Sequence, residues 1–370
     1  MSETRRGART KSSKRGCGVL AAVLVVVLAI GAGGAWFAWS NYEPKIREIL
    51  GLSAENDYSG TGVDPEIQIV VEEGEYGDVI AQKLVDAGVT KSFDAVYRLL
   101  LADSSIVFTP GSYTLKSEMS AASAIAILSD ADNRITRKVT IPEGSVLSST
   151  FATLSEATGI PVADFEAASL DPTVFGIPAK ALSVEGFLFP ATYEFDPTQD
   201  ATSIIQTMVD EMNARLDALG VAIGDRYSVL TFASLVQREA GPNTADFAKI
   251  ARVFQNRLDA EWNLESDATV SYGTGNLHTV WTTDAERADE ENLYNTYVHK
   301  GLPVGPIGLP GEVALEAVLE PADGPWFFFV TVNIKTGETK FSETTAQHNA
   351  AVQELRTWCN ASAANAAYCD

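Results

Sequence analysis

A carboxylate at the end of an apolar run is the first feature of this sequence that could do chemistry. In "ASLVQREAGPN" (233–243), Glu239 follows Val236 by three residues, Leu235 by four and Phe232 by seven, just before a Gly-Pro stop. At helical spacing all four share one face. Its apolar members turn that face inward, so the carboxyl is partly desolvated and its pKa raised. The negative end of the helix dipole acts in the same direction. An acid still protonated near neutral pH can protonate the leaving oxygen of a glycosidic bond. The competing reading is a solvated glutamate in the last turn of a helix.

Several other side chains stand as candidates, each with a plainer alternative. Glu185 heads "EGFLFP" and is either a strand-edge or turn carboxylate or a residue lining a cleft. Ser266 and Asp267 open "SDATVSYG", where an Asx-type cap or turn is the simpler explanation. Asn295, in "YNTY", can donate through its amide to a sugar acetamido group or can stabilise a turn. Tyr294 and Tyr297 offer an aromatic wall for sugar stacking, against the commoner fate of burial. Asn256 and Arg257, in "QNRL", suit a structural ion pair better than a substrate contact.

The elements that must position these residues follow from periodicity. Helices are predicted over 199–219, 226–240, 245–261, 312–319 and 345–358, and a terminal hairpin at "WFFFVTVN" and "GETKFSE". "VEGFLFPATYEF" (184–195) reads as strand-like, and 267–275 falls in a long polar region with turn character. Upstream, "IQIVVEEG" reads as a strand, followed by two helices, a strand at "SYTL", another helix and a third strand at "RKVTIPEG". Strand-helix-helix-strand units of this size resemble LysM-type modules, which bind glycan on a shallow surface.

The ends of the chain carry different information. Residues 18–39 are 22 uncharged positions, long enough for a helix to cross a bilayer core. Six Lys/Arg residues against Glu3 within 1–17 keep the N-terminus cytoplasmic, and Trp36 and Trp39 suit the far interface. A cleaved signal peptide is the alternative for this segment. The total charge of −22 leaves about −27 beyond residue 17, without the basic cluster that nucleic-acid binding requires. Cys359 and Cys369 could pair in an oxidising exterior. With three histidines, none at i,i+4 from another, no metal is expected.

"VEGFLFPATY" (184–193), "SLVQRE", "VFQNRL" (253–258), "LESDATVSYG" (264–273), "NLYNTY" (292–297) and "GLPVGPIGLPG" (301–311) form an ordered series. Together they resemble the endolytic murein transglycosylase (YceG-like) family over roughly 66–352. The resemblance implies a membrane-anchored enzyme that cuts nascent peptidoglycan strands internally, without metal or cofactor. It also implies that the catalytic acid matches Glu239 and that the partners are glycan strands and the peptidoglycan synthases making them. Many members of that family carry Glu-Lys-Glu where this chain has Gln237, Arg238 and Glu239, often proline at the place of Ala268, and a double proline where Val304 stands.

The expected fold class is α+β: an N-terminal transmembrane helix, a small LysM-like α+β module and a mixed α/β catalytic domain of the YceG-like type. The expected boundaries are a basic tail (1–17), the span (18–39), a linker (40–64), the module (65–140), the catalytic domain (141–358) and a flexible tail (359–370). The alternative function is a glycan-binding scaffold without catalysis at the site of cell-wall synthesis, which the absent acid at 237 favours. An ordinary hydrolase is a third reading, separable by its products.

Overall fold

The computed structural model of the protein describes residues 56–277 and 282–369. The expected span at 18–39 lies outside them, and among the described residues no helix is long and apolar enough to cross a membrane. The chain divides into two compact units, one ending at Arg134 and one beginning at Ile135.

In the first unit, strand β1 (Thr61–Val71) pairs antiparallel with β2 (Gly111–Met119), with Ile67 opposite Leu115 and Ile69 opposite Tyr113. Between them run helices α1 (Gly77–Asp86) and α2 (Phe93–Ala102), and α3 (Ala121–Leu128) follows. Ser92 and Ser120 cap α2 and α3 by accepting the amides of Ala95 and Ser123. Alternation along β1 turns Ile69 and Val71 onto Ile80, Leu84 and Val96, and these form a closed apolar core. "SYTL" is thus the middle of a longer strand.

The second unit is mainly helical. Strand β3 (Arg137–Thr140) pairs antiparallel with β4 (Thr192–Phe195), and β5 (Phe328–Asn333) with β6 (Glu338–Ser342). Helices α4 (Leu147–Thr158), α5 (Val162–Ala168), α6 (Ala201–Ala218), α7 (Arg226–Glu239), α8 (Phe247–Asp259), α9 (Asp267–Thr274), α10 (Asp284–Arg287), α11 (Glu312–Leu319), α12 (Thr345–Asn360) and α13 (Ala363–Ala366) complete it. The strands pair as short antiparallel ribbons, and the described residues hold three two-stranded sheets. The class remains α+β. Helix α7 lies at the centre, with Leu230 to Val236 buried, and α11 packs on both α7 and α8. Each large aliphatic side chain buried there contributes roughly 1.5–3 kcal/mol.

Three expectations are corrected. Residues 267–274 form a helix; its end is set by Gly275 at φ 72°, a left-handed conformation glycine adopts without strain. Only Thr192–Phe195 of "VEGFLFPATYEF" is a strand, because Val184, Phe187, Leu188 and Phe189 all turn into the core, which alternation cannot do. The tail is not flexible throughout: α13 follows α12, and Cys359 and Cys369 are joined by a disulfide.

The "GLPVGPIGLPG" segment straps one side of α7. The Ile307 amide donates to Ser234 Oγ (3.0 Å), the Gly311 amide to Gln237 Oε1 (2.9 Å), and Gly144 and Leu309 are bonded through the Gly144 amide and the Leu309 carbonyl (2.8 Å). Gly186, at φ 80°, packs under this strap; an added Cβ would sit 2.4 Å from Pro306 Cβ. Gly186→Ala is therefore expected to destabilise the protein by about 2 kcal/mol through overpacking and backbone strain. A chemical-denaturation midpoint equal to that of the parent protein would contradict this packing.

Candidate active site

Glu239 ends α7, and the Ala240 amide closes the last turn by donating to the Val236 carbonyl at 2.9 Å. Beyond it the chain is extended, so the helix stops before the Gly-Pro pair. Leu235, Val236 and Phe232 are buried as the spacing requires. Glu239 itself is partly accessible because it opens onto a cavity of about 470 Å³. Arg257, Asp267, Tyr297, Phe328 and His348 line the same cavity.

The carboxyl meets the N-terminus of α9. Ser266 occupies the N-cap position, yet its hydroxyl makes no cap bond to its own helix and donates to Glu239 Oε1 instead. The Ala268 amide, in the first turn, also donates to Glu239. Burial nevertheless raises the Glu239 pKa, and the charge on Asp267 adds to that, against the opposing pull of Ser266, Ala268 and the Arg257 guanidinium. Glu239 is thus held toward its acid form, with a cation and two donors in place to receive the anion.

Asp267 is committed to other partners. Its Oδ1 accepts from Arg287 Nε (3.0 Å), Tyr297 Oη (3.0 Å) and Thr282, and its Oδ2 from Arg287 Nη2 (3.2 Å). Arg287 also lies over the Tyr297 ring, 5.3 Å from its centroid. Thr296 fixes the start of α9, accepting the Ser266 amide at 3.0 Å and meeting Thr269 Oγ1 at 2.9 Å.

Of the remaining predicted residues, Asn295 is fully buried and wholly engaged by main chain. Its amide donates to the carbonyls of Glu286, Arg287 and Asp289, and its Oδ1 accepts from the Tyr297 amide. It shapes the loop and is not offered to a sugar. The two tyrosines part company: Tyr297 reaches the cavity, whereas Tyr294 packs edge-on against Tyr272 with centroids 4.8 Å apart. Glu185 does not line the cavity. Its Oε2 joins the Leu147 amide (3.1 Å), at the start of α4, to the Tyr272 hydroxyl (2.9 Å) on α9, and its Oε1 is buried without a partner among the described residues.

Arg257, assigned from sequence to a structural ion pair, and His348, not singled out there as a site residue, also line the cavity. Arg257 is buried, donating to the carbonyls of Phe327 (2.8 Å) and Leu264 (2.5 Å), with Glu265 at 3.8 Å as its ion-pair partner. Its spacing from Ile250 and Phe254 already placed it on the inner face of α8. His348 precedes Val352 by four and Leu355 by seven on α12, the same kind of signal.

Burial pushes Glu185 up to about 7, against the Leu147 amide, the Tyr272 hydroxyl and the Arg238 charge. Its pKa is higher folded than the ordinary 4.5, so the stability it allows is full below pH 4.5 and lost as the pH rises through about 7. The loss is ~3 kcal/mol by linkage. Glu185→Gln is expected to flatten the stability profile between pH 5 and 8; an unchanged slope in urea titrations at several pH values would refute that.

Comparison with known proteins identifies the family of the chain. The YceG-like family profile matches residues 69–354. The endolytic murein transglycosylase of Bacillus subtilis (strain 168) is 29% identical over 309 residues, 78% of this chain and 84% of that protein. The protein of the same name from Streptococcus pneumoniae (strain D39) is 26% identical over 367 residues, 89% of this chain; the chain spans 64% of that relative's length. A crystal structure of a YceG-like protein from Listeria monocytogenes superposes with a TM-score of 0.51 at 26% identity, covering 77% of this chain and 98% of the other. With the match extending across both units, the chain belongs to the YceG-like family.

Proposed function

We propose that the protein is an endolytic peptidoglycan lytic transglycosylase, in which Glu239 serves as both acid and base. The observation that carries this reading is the Glu239 carboxyl, held toward its acid form by burial, in a cavity whose other carboxylates face cations: Asp267 is bound by Arg287, Tyr297 and Thr282, and Glu265 lies 3.8 Å from Arg257. Glycoside hydrolases ordinarily use two carboxyl groups, one as acid and one as nucleophile or base. A lytic transglycosylase needs one. Glu239 protonates the oxygen between N-acetylmuramic acid and N-acetylglucosamine, and the C1–O bond breaks. The resulting carboxylate, supported by Ser266, Ala268 and Arg257, then takes the proton of the sugar's own C6 hydroxyl as O6 bonds to C1. The 1,6-anhydro ring closes within one sugar, with the advantage of proximity, and the acid is restored. The relatives named endolytic murein transglycosylase support the same reaction.

The wider arrangement follows from the sequence and the first unit. The uncharged run at 18–39 behind a basic tail supports a membrane anchor with the N-terminus cytoplasmic and the catalytic unit outside, beside the synthases. The Cys359–Cys369 bond is in keeping with an oxidising exterior. The strand-helix-helix-strand order of the first unit and the groove of about 780 Å³ along β1 and α1 support a LysM-like module that holds glycan. Gln237 lends no weight to a scaffold without catalysis, because its side chain is engaged in fixing Gly311.

Glu239→Gln is expected to leave folding intact and to lower the yield of 1,6-anhydro ends from isolated glycan strands by about 10²–10⁴-fold. Mass analysis of the products decides it. Undiminished anhydro product from the variant, or reducing ends that have gained water, would sink the assignment.

A further inference from the structure

The cavity that holds Glu239 is closed on one side by β5 and α12, and the proton transfers described above use nothing from that wall. His348 is its polar member. The ring stacks on Phe328 with centroids 5.1 Å apart, and its Nδ1 is buried with no hydrogen-bond partner among the described residues. A hydrogen on Nδ1 would strand a donor in the interior, whereas a bare Nδ1 leaves only an unused acceptor. Buried orphan donors are the rarer of the two. The neutral ring therefore carries its hydrogen on Nε2. Burial and the nearby Arg257 guanidinium both hold the pKa of His348 below its ordinary value, which keeps the ring neutral.

A neutral Nε2–H is a donor, and no acceptor for it is found among the described residues. Around it the wall is apolar, built of Phe328, Val330, Val352 and Leu355. A donor set in an apolar wall matches a carbonyl carrying a methyl group. We propose that His348 recognises the acetamido group of the sugar bound beside Glu239, donating Nε2–H to its carbonyl while the methyl covers the Phe328–Leu355 wall. The proposal rests on the glycan-cleaving reading of the second unit. It makes His348 a determinant of specificity, with no part in the proton transfers.

The first test needs no turnover. The full-length Glu239→Gln chain carries three histidines, so ¹⁵N-histidine spectra resolve their tautomers, and loss of a signal in an added His348→Gln change assigns the ring. The expected result is a neutral Nε2–H ring whose signal moves on saturation with tetra-N-acetylchitotetraose and not with the de-N-acetylated oligomer. An Nδ1–H tautomer, or equal responses to both oligomers, overturns the proposal whether or not the parent chain cleaves glycan. The second test is kinetic, on N-acetylated strands stripped of their stem peptides. His348→Ala is expected to lower kcat/KM about five- to tenfold through KM, the worth of one hydrogen bond, and His348→Gln to recover most of it. A merely structural role predicts instead a fall in kcat and in thermal midpoint that Gln does not rescue, and that outcome overturns it. So does a loss confined to strands that keep their stem peptides, since the acceptor would then be a stem amide.

Discussion

The site depends on one contact, the hydroxyl of Ser266 turned away from its own helix and onto Glu239. A helix N-terminus leaves amides without internal partners, and the N-cap side chain ordinarily meets one of them. Here a carboxyl from the end of α7 does so, through the Ala268 amide. Acid and helix complete each other. The positive end of α9 favours the anion, while burial and Asp267 favour the neutral acid, and the second pair prevails in the resting protein. A group poised in this way can release a proton and recover it without rearrangement of its surroundings.

Most of the remaining architecture keeps α9 in that position. At its start, Thr296 holds the Ser266 amide, while Arg287, Tyr297 and Thr282 surround Asp267. Near its end, Tyr272 bonds Glu185, which in turn holds the first amide of α4. On the other partner, α7, the strap of residues 301–311 is fixed through Ser234 and Gln237. Two glutamates thus serve α9 differently: the partly accessible one at its head faces the cavity, and the buried one further along acts as a bracket.

Long amphipathic elements were legible in the sequence, and the reasons are local. Helix α7 announces itself through Leu230, Leu235 and Val236, α11 through its unbroken apolar spacing, and the β5–β6 hairpin through its aromatic run and Gly337 turn. Helix α9 was not legible. Its eight residues include Thr269, Val270, Ser271 and Gly273, poor helix formers, and it is held by tertiary bonds from Thr296 and Asn292 that no local pattern contains. Glu239 could be picked out because its apolar companions lie within one helix. Its relation to Ser266 joins segments 27 residues apart, and that of Arg257 and His348 to the cavity joins α8 to α12. Asn295 misled for a physical reason: an amide among tyrosines has the chemistry of a sugar contact, and only the fold reveals that carbonyls already surround it.

The covalent clip at the end of the chain bears on the cavity from a distance. Helix α12 contributes His348, Val352 and Leu355 to the wall, and its final turn carries Cys359, tied to Cys369 just past α13. Helices unwind from their ends inward, and a cross-link that closes the last turn removes the cheapest of those openings. Between Leu355 and the frayable terminus lies about one helical turn. While the thiols stay reduced, this wall stands on a helix free to unravel toward it. Oxidation finishes the chamber, so one wall of the cavity is secured in part by a covalent bond that lies beyond its own lining.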